Sequence, residues 1–155
     1  MPSMIDSMLR QAADLVERNP RSSAAKRRAV SSAYYAAFHQ LLALCAGSIL
    51  PDGDVGTPEF ERVYRTLDHG TLRHAFTAAP LRSNPVLSPI GFGFVQLQEA
   101  RIKADYSPPR RNLFSLAEVT EYLARASALV SALTELDDPD RRVLVVHLLF
   151  PSRKK

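Results

Sequence analysis

Arg101 and Asp105 lie one turn apart on a predicted helix with Tyr106 directly after its end, and these three are the residues of this chain best suited to handle a phosphate. Arginine presents a planar fork of donors that matches phosphate oxygens, and an aspartate four residues later can pair with that fork and orient it. Tyr106 adds a hydroxyl that can donate a hydrogen bond to phosphate, but with an unperturbed pKa near 10 it is a poor base at neutral pH. Upstream, Tyr34 and Tyr35 point about 100° apart on a helix, so one can be buried while the other lines a surface. His39 shares the face of Tyr35 and can hydrogen-bond Asp105 or Tyr106. Asp105, Tyr34, Tyr35 and His39 are therefore supporting residues. His69 precedes Gly70 at a break between helical segments, where a side chain can face a groove, which makes it a third catalytic candidate beside Arg101 and Tyr106.

The charge is unevenly spread. Net charge is +4, yet sixteen of the 20 basic residues are arginine. They cluster at Lys26-Arg27-Arg28, Arg110-Arg111, Arg141-Arg142 and Arg153-Lys154-Lys155, with a pI of about 9.5. Such clusters are compatible with RNA or DNA, and Arg28, Arg101, Arg110 and Arg111 are the candidate contacts; a solvated basic surface is the ordinary alternative. The chain has no aromatic and basic interleaving of the RNA-recognition-motif kind and no zinc-finger spacing. GxxxxGK[ST], GxGxxG after a strand and GxSxG are also absent. One cysteine and four scattered histidines without paired acids make no metal site, and no cofactor is expected. Gly91-Phe92-Gly93 reads as an ordinary loop entry into a helix.

These residues need helices to position them. A length of 155 residues, 46% hydrophobic and 23% charged, is ordinary for one globular domain spanning 1–155. No run reaches the roughly 18 apolar residues of a membrane span, and MPSMIDSMLRQAADLVERN has no signal-peptide core, so a cytoplasmic location is expected. Cys45, among Leu41, Leu42 and Leu44, is a core residue. Apolar spacing predicts a first helix over 3–18, ended by Asn19-Pro20, and a second from Ser22 or Ser23 to Cys45, closed by Gly47. GSILPDGDVGT is a loop, and Thr57-Pro58-Glu59 opens a short helix. Asp68-His69-Gly70 is a break, 71–79 a short helical piece, 80–91 an exposed ordered loop, and 92–105 a helix. Ser115 caps a long helix, and Asp138-Pro139-Asp140 opens a short C-terminal one over about 139–150. With no alternating runs to support a sheet, the fold class is all-α, with about five to seven helices.

Two tracts together resemble a known family. RRAVSSAYYAAFH, Arg27 to His39, and RIKADY, Arg101 to Tyr106, are similar to the RRAxSxAYYAxFH helix and RxxADY tract of one bacterial branch of the HEPN proteins, and VYRTLDHGTLRHAF between them also looks familial. The likeness spans roughly residues 20–135. It implies an antiparallel helical bundle with two long central helices, a homodimer, RNA as a ligand, and a nucleotidyltransferase-type protein as a possible partner. Ala33, Ala36 and Ala37 offer a small-residue face for close helix approach in such a dimer. The family's nuclease members carry an arginine followed four to six residues later by a histidine, paired across the dimer. A 2′-hydroxyl attacks the neighbouring phosphate without metal, the histidine moves the proton, and the arginine neutralises charge. At the matching position this chain has Arg101 and then Tyr106. Literal arginine-to-histidine spacings occur at Arg62 to His69 and from Arg141 and Arg142 to His147, but about one match is expected by chance in so arginine-rich a chain. The expectation is a non-catalytic or weakly catalytic RNA- or partner-binding module of a toxin–antitoxin or defence system. The alternative is a metal-independent endoribonuclease toxin with a composite site across a homodimer.

Overall fold

The computed structural model describes residues 3–152, and these form seven α-helices with no strand among them. The basic tail Arg153-Lys154-Lys155 and Met1-Pro2 lie outside the described residues. The helices are α1 (Met4–Arg18), α2 (Ser23–Ile49), α3 (Pro58–Tyr64), α4 (His69–Phe76), α5 (Leu87–Tyr106), α6 (Leu116–Thr134) and α7 (Asp138–Leu149). The chain sorts into two compact units, one of residues 1–39 and 93–131, the other of 40–92 and 132–155.

In the first unit, local chemistry sets the helix starts. Ser3 accepts from the Asp6 N–H while the Asp6 carboxylate accepts from the Ser3 N–H, a reciprocal cap for α1. Ser22 accepts from Ala25 at the start of α2, and Ser115 from Glu118 at the start of α6. The core joins Ala12 and Val16 of α1, Ala29 and Val30 of α2, Ala100 and Ala104 of α5, Leu113 and Phe114 of the connection, and Val119 of α6. Ile5, Ala12 and Val16 are the buried residues of α1, while Met4 at its start is exposed. α2 and α5 run antiparallel in this unit, because the start of α2 meets the end of α5 through Arg27 and Ala104. Gly93 lets α5 approach α6: a Cβ there would lie 3.0 Å from Cδ2 of Leu129. Ala33, Ala36 and Ala37 are completely buried within the chain. The small-residue face is thus consumed by the chain's own packing and is not available for a second protomer to approach.

The second unit contains the largest departures from the sequence expectation. α2 continues past Cys45 and through Gly47 to Ile49, four residues beyond its expected end. A single exposed glycine costs a helix only about 1 kcal/mol, whereas Pro51 forces the preceding Leu50 out of the helical region and sets the true end. α4 ends at Phe76 and α5 begins at Leu87, so the expected helical piece stops three residues early, 87–91 of the expected loop are helical, and Leu81, Leu87 and Ile90 are buried. Pro89 is tolerated because first-turn N–H groups have no helical acceptor. Asn84 organises the entry: its Oδ1 accepts from Val86 and Leu87, and its Nδ2 donates to Asp140 of α7. Gly91 is a helical contact residue; a Cβ there would lie 2.6 Å from the Phe76 ring. α4 begins at His69, capped by Asp68, so the expected break at 68–70 falls instead over 65–68. α4 packs against α7.

Candidate functional site

The turn of α5 that carries Arg101 faces the turn of α2 that carries Tyr34 and Tyr35. The Arg101 guanidinium carbon lies 5.4 Å from the Tyr34 ring centre, 5.6 Å from that of Tyr35 and 6.0 Å from that of Tyr106. Each is within cation–π range, so three aromatic faces enclose one cation. The Arg101 side chain is only 8% exposed, and its Nη1 lies 3.6 Å from Oδ2 of Asp105, whose side chain is 31% exposed. Its Nε is buried with no hydrogen-bond acceptor. Arg101 and Asp105 form the expected pair, but as a half-buried bridge under an aromatic lining. Tyr34 is completely buried, stacked on Phe38 and edge-on to Tyr35. Burial raises its pKa, the Arg101 charge opposes that and Tyr35 adds to it, so its hydroxyl stays protonated at neutral pH.

A cleft of about 1060 Å³ opens beside this cluster in the same unit. Its walls carry Arg27, Arg28, Tyr35, His39, Asp105, Arg110 and Arg111, together with Met8, Ser31 and Ser32. The structure thus brings Arg28, Arg110 and Arg111 to one surface, all three exposed. Arg101 is not among the lining residues. Tyr35 and His39, one helical turn apart, share that wall. Burial lowers the His39 pKa and favours the neutral imidazole. Tyr106, 74% exposed at the last position of α5, presents its ring at the surface.

His69 belongs to the other unit, in the first turn of α4, next to Asp68. Asp68 has a lowered pKa, chiefly because its carboxylate accepts the Thr71 N–H, and the His69 charge contributes in the same direction. His147 is in the last turn of α7, while Arg141 is bound to Asp138 at the start of that helix. Among the described residues no group of histidine, cysteine or acid side chains could hold a metal ion, and no helix is long and apolar enough to cross a membrane.

Arg27 is the important residue that the sequence reading passed over. Its guanidinium donates to three carbonyls at the end of α5: Nε to Ala104 at 2.6 Å, Nη1 to Pro108 at 3.2 Å, and Nη2 to Ser107. Ser23 adds a hydrogen bond to the Arg110 carbonyl. Helix ends leave acceptors unserved, and a long cationic side chain two turns before Tyr34, on the same face, is the signal that could have identified the donor. Comparison with protein-family models, with curated proteins and with solved structures finds no match.

Proposed function

We propose that this chain is a HEPN-like RNA-binding module without strong catalytic activity, whose first unit grips a sugar–phosphate backbone in the cleft beside α2 and the end of α5. The observation that carries this reading is the division among the arginines. Arg28, Arg110 and Arg111 are exposed on one cleft, while Arg101, the residue that would have to meet a scissile phosphate, is 8% exposed and enclosed by three tyrosines. Single-stranded RNA suits such a surface, because arginines follow the backbone and the half-buried Tyr35 and exposed Tyr106 offer faces for bases. By its resemblance the working unit is a homodimer placed in a toxin–antitoxin or defence system, with a nucleotidyltransferase-type protein as partner. A dimer of this chain uses a face other than Ala33, Ala36 and Ala37.

One feature supports the nuclease alternative: His39, held toward its neutral form, lines the same cleft as the arginines and is a possible proton acceptor. A single experiment separates the readings. Binding of a single-stranded RNA is measured across a salt series, in EDTA, for wild type and for Arg28→Ala/Arg110→Ala. The double variant should bind more weakly, with a salt slope lower by about 1.4 for two lost phosphate contacts on a single strand. The RNA should remain intact. An unchanged slope places the basic contact elsewhere, and cleavage in EDTA replaces the binding module with a metal-independent nuclease.

A further inference from the structure

We propose that a phosphate monoester docks at the N-terminus of α2, in a second cavity of the first unit, and that it is the terminal phosphate of an RNA strand whose backbone lies in the cleft. The second half of this inference rests on the RNA-binding reading above; the first does not. The cavity, about 390 Å³, is lined by Arg21, Ser23, Lys26, Arg111 and Asn112. That volume is near the lower end of the roughly 300–1,000 Å³ of small-ligand sites.

Lys26 supplies the independent observation. It is only 9% exposed, yet its side chain makes no ion pair or hydrogen bond among the described residues, and no carboxylate lines the cavity. Its aliphatic stem is packed away while its ammonium borders the cavity with no counter-charge beside it, so an anion held there would be its partner. The helix start adds to this. Ser22 serves the N–H groups of Ala25 and Lys26, there is no acid in the first turn, and the positive end of a 27-residue helix is left to an external anion. Asn112, in the left-handed region at φ 58°, turns the connection after α5 so that Arg111 and Asn112 both border this space.

Charge selects the form of the ligand. Three cations with a helix N-terminus match a monoester, which carries close to two negative charges above a second pKa of about 6, better than the single charge of an internal diester. Position selects its source. Ser23 and Arg111 line both this cavity and the arginine cleft, so a strand lying in the cleft can place its end here.

The test uses the whole chain and two probes. Inorganic phosphate, compared with chloride at equal ionic strength and pH 7.5, should raise the melting temperature of wild type. Lys26→Met should lose that response while folding as well as wild type, since methionine keeps the buried apolar stem. Arg21→Gln, at an exposed position, should weaken the response and guards against a folding defect in the first variant. The second probe is one RNA sequence with a 5′-phosphate, a 3′-phosphate or hydroxyl ends. Wild type should prefer one phosphorylated form by about tenfold, the scale of one charge-assisted hydrogen bond. Lys26→Met should bind all three as wild type binds the hydroxyl form. No effect of phosphate on wild-type melting overturns the site. A phosphate response with equal affinity for the three RNAs overturns the strand-end assignment and leaves a site for free phosphate. Failure to bind any RNA, with the phosphate response intact, removes the RNA reading and not the anion site.

Discussion

Two sets of arginines in the first unit carry the same charge to opposite ends. Arg27 and Arg101 lie in the seam between α2 and α5, where one serves three carbonyls and the other is enclosed by three tyrosines. Arg28 and Arg110, each adjacent to or shortly after a seam contact in the chain, are exposed on the cleft. A one-residue step on a helix turns a side chain by about 100°, enough to move an arginine from a seam to a rim. The difference teaches that an arginine-rich motif can be conspicuous because it holds two helices together, while the residue beside it meets the ligand.

The sharpest way to break this comparison is Arg101→Ala. If Arg101 belongs to the seam, the change removes a buried cation from three rings, leaves a void, and strips Asp105 of its partner. It should cost about 3 kcal/mol in urea unfolding, the scale of other buried-pair and large-to-small losses. Arg101→Lys should recover only part, because an ammonium keeps the charge and loses the plane that lies against the tyrosines. A loss of less than about 0.5 kcal/mol, the range of ordinary surface changes, would move Arg101 to the rim and return it to the catalytic candidates.

Arg27→Met should cost about 2 kcal/mol, since hydrogen bonds from a charged donor contribute roughly 1.5–3 kcal/mol and the methionine keeps the apolar stem. The effect should be local as well as global. Ser107 donates its N–H to Lys103 at 3.2 Å in the last turn of α5, and that amide should exchange faster with solvent in the variant. Unchanged protection there would mean that the three carbonyls find water as readily as Arg27.

What was legible in the sequence was what a few neighbouring residues decide. Ser3, Thr57 and Ser115 cap helices because a short polar side chain reaches an N–H three residues on, and the reading located all three starts within about a residue. The all-helical class followed from the spacing of the apolar residues, as did the placement of Tyr35 and His39 on one wall. What escaped depends on partners far away in the chain. Gly91 looked like a loop residue because the Phe76 ring that needs its missing Cβ lies fifteen positions away. The loop reading of 80–91 missed that Pro89 stands in the first turn of a helix, a place visible only once Asn84 is known to cap the entry. Lys26 looked like one more surface cation, and nothing in Ala25-Lys26-Arg27 distinguishes a buried lysine from an exposed one. The dimer face failed for the same reason: alanines at helical spacing permit close approach but do not say whose helix approaches.

The smallest effect concerns His39, on the cleft wall. If burial dominates its surroundings, its folded pKa lies below the ordinary value near 6.5, and its ring-proton titration followed by NMR should show a midpoint under that value. The unfolded chain then binds the proton more readily than the folded one between those two values. Stability contributed by the neutral ring is therefore complete above about pH 6.5, declines as the pH falls through the window, and levels off below the folded pKa. His39→Gln, which keeps a polar side chain but cannot titrate, should flatten this part of the stability profile. A midpoint above the ordinary value would show that a carboxylate such as Asp105 governs the ring. The cleft would then present an imidazolium beside its arginines, strengthening its attraction for phosphate and removing the proton acceptor on which the nuclease alternative depends.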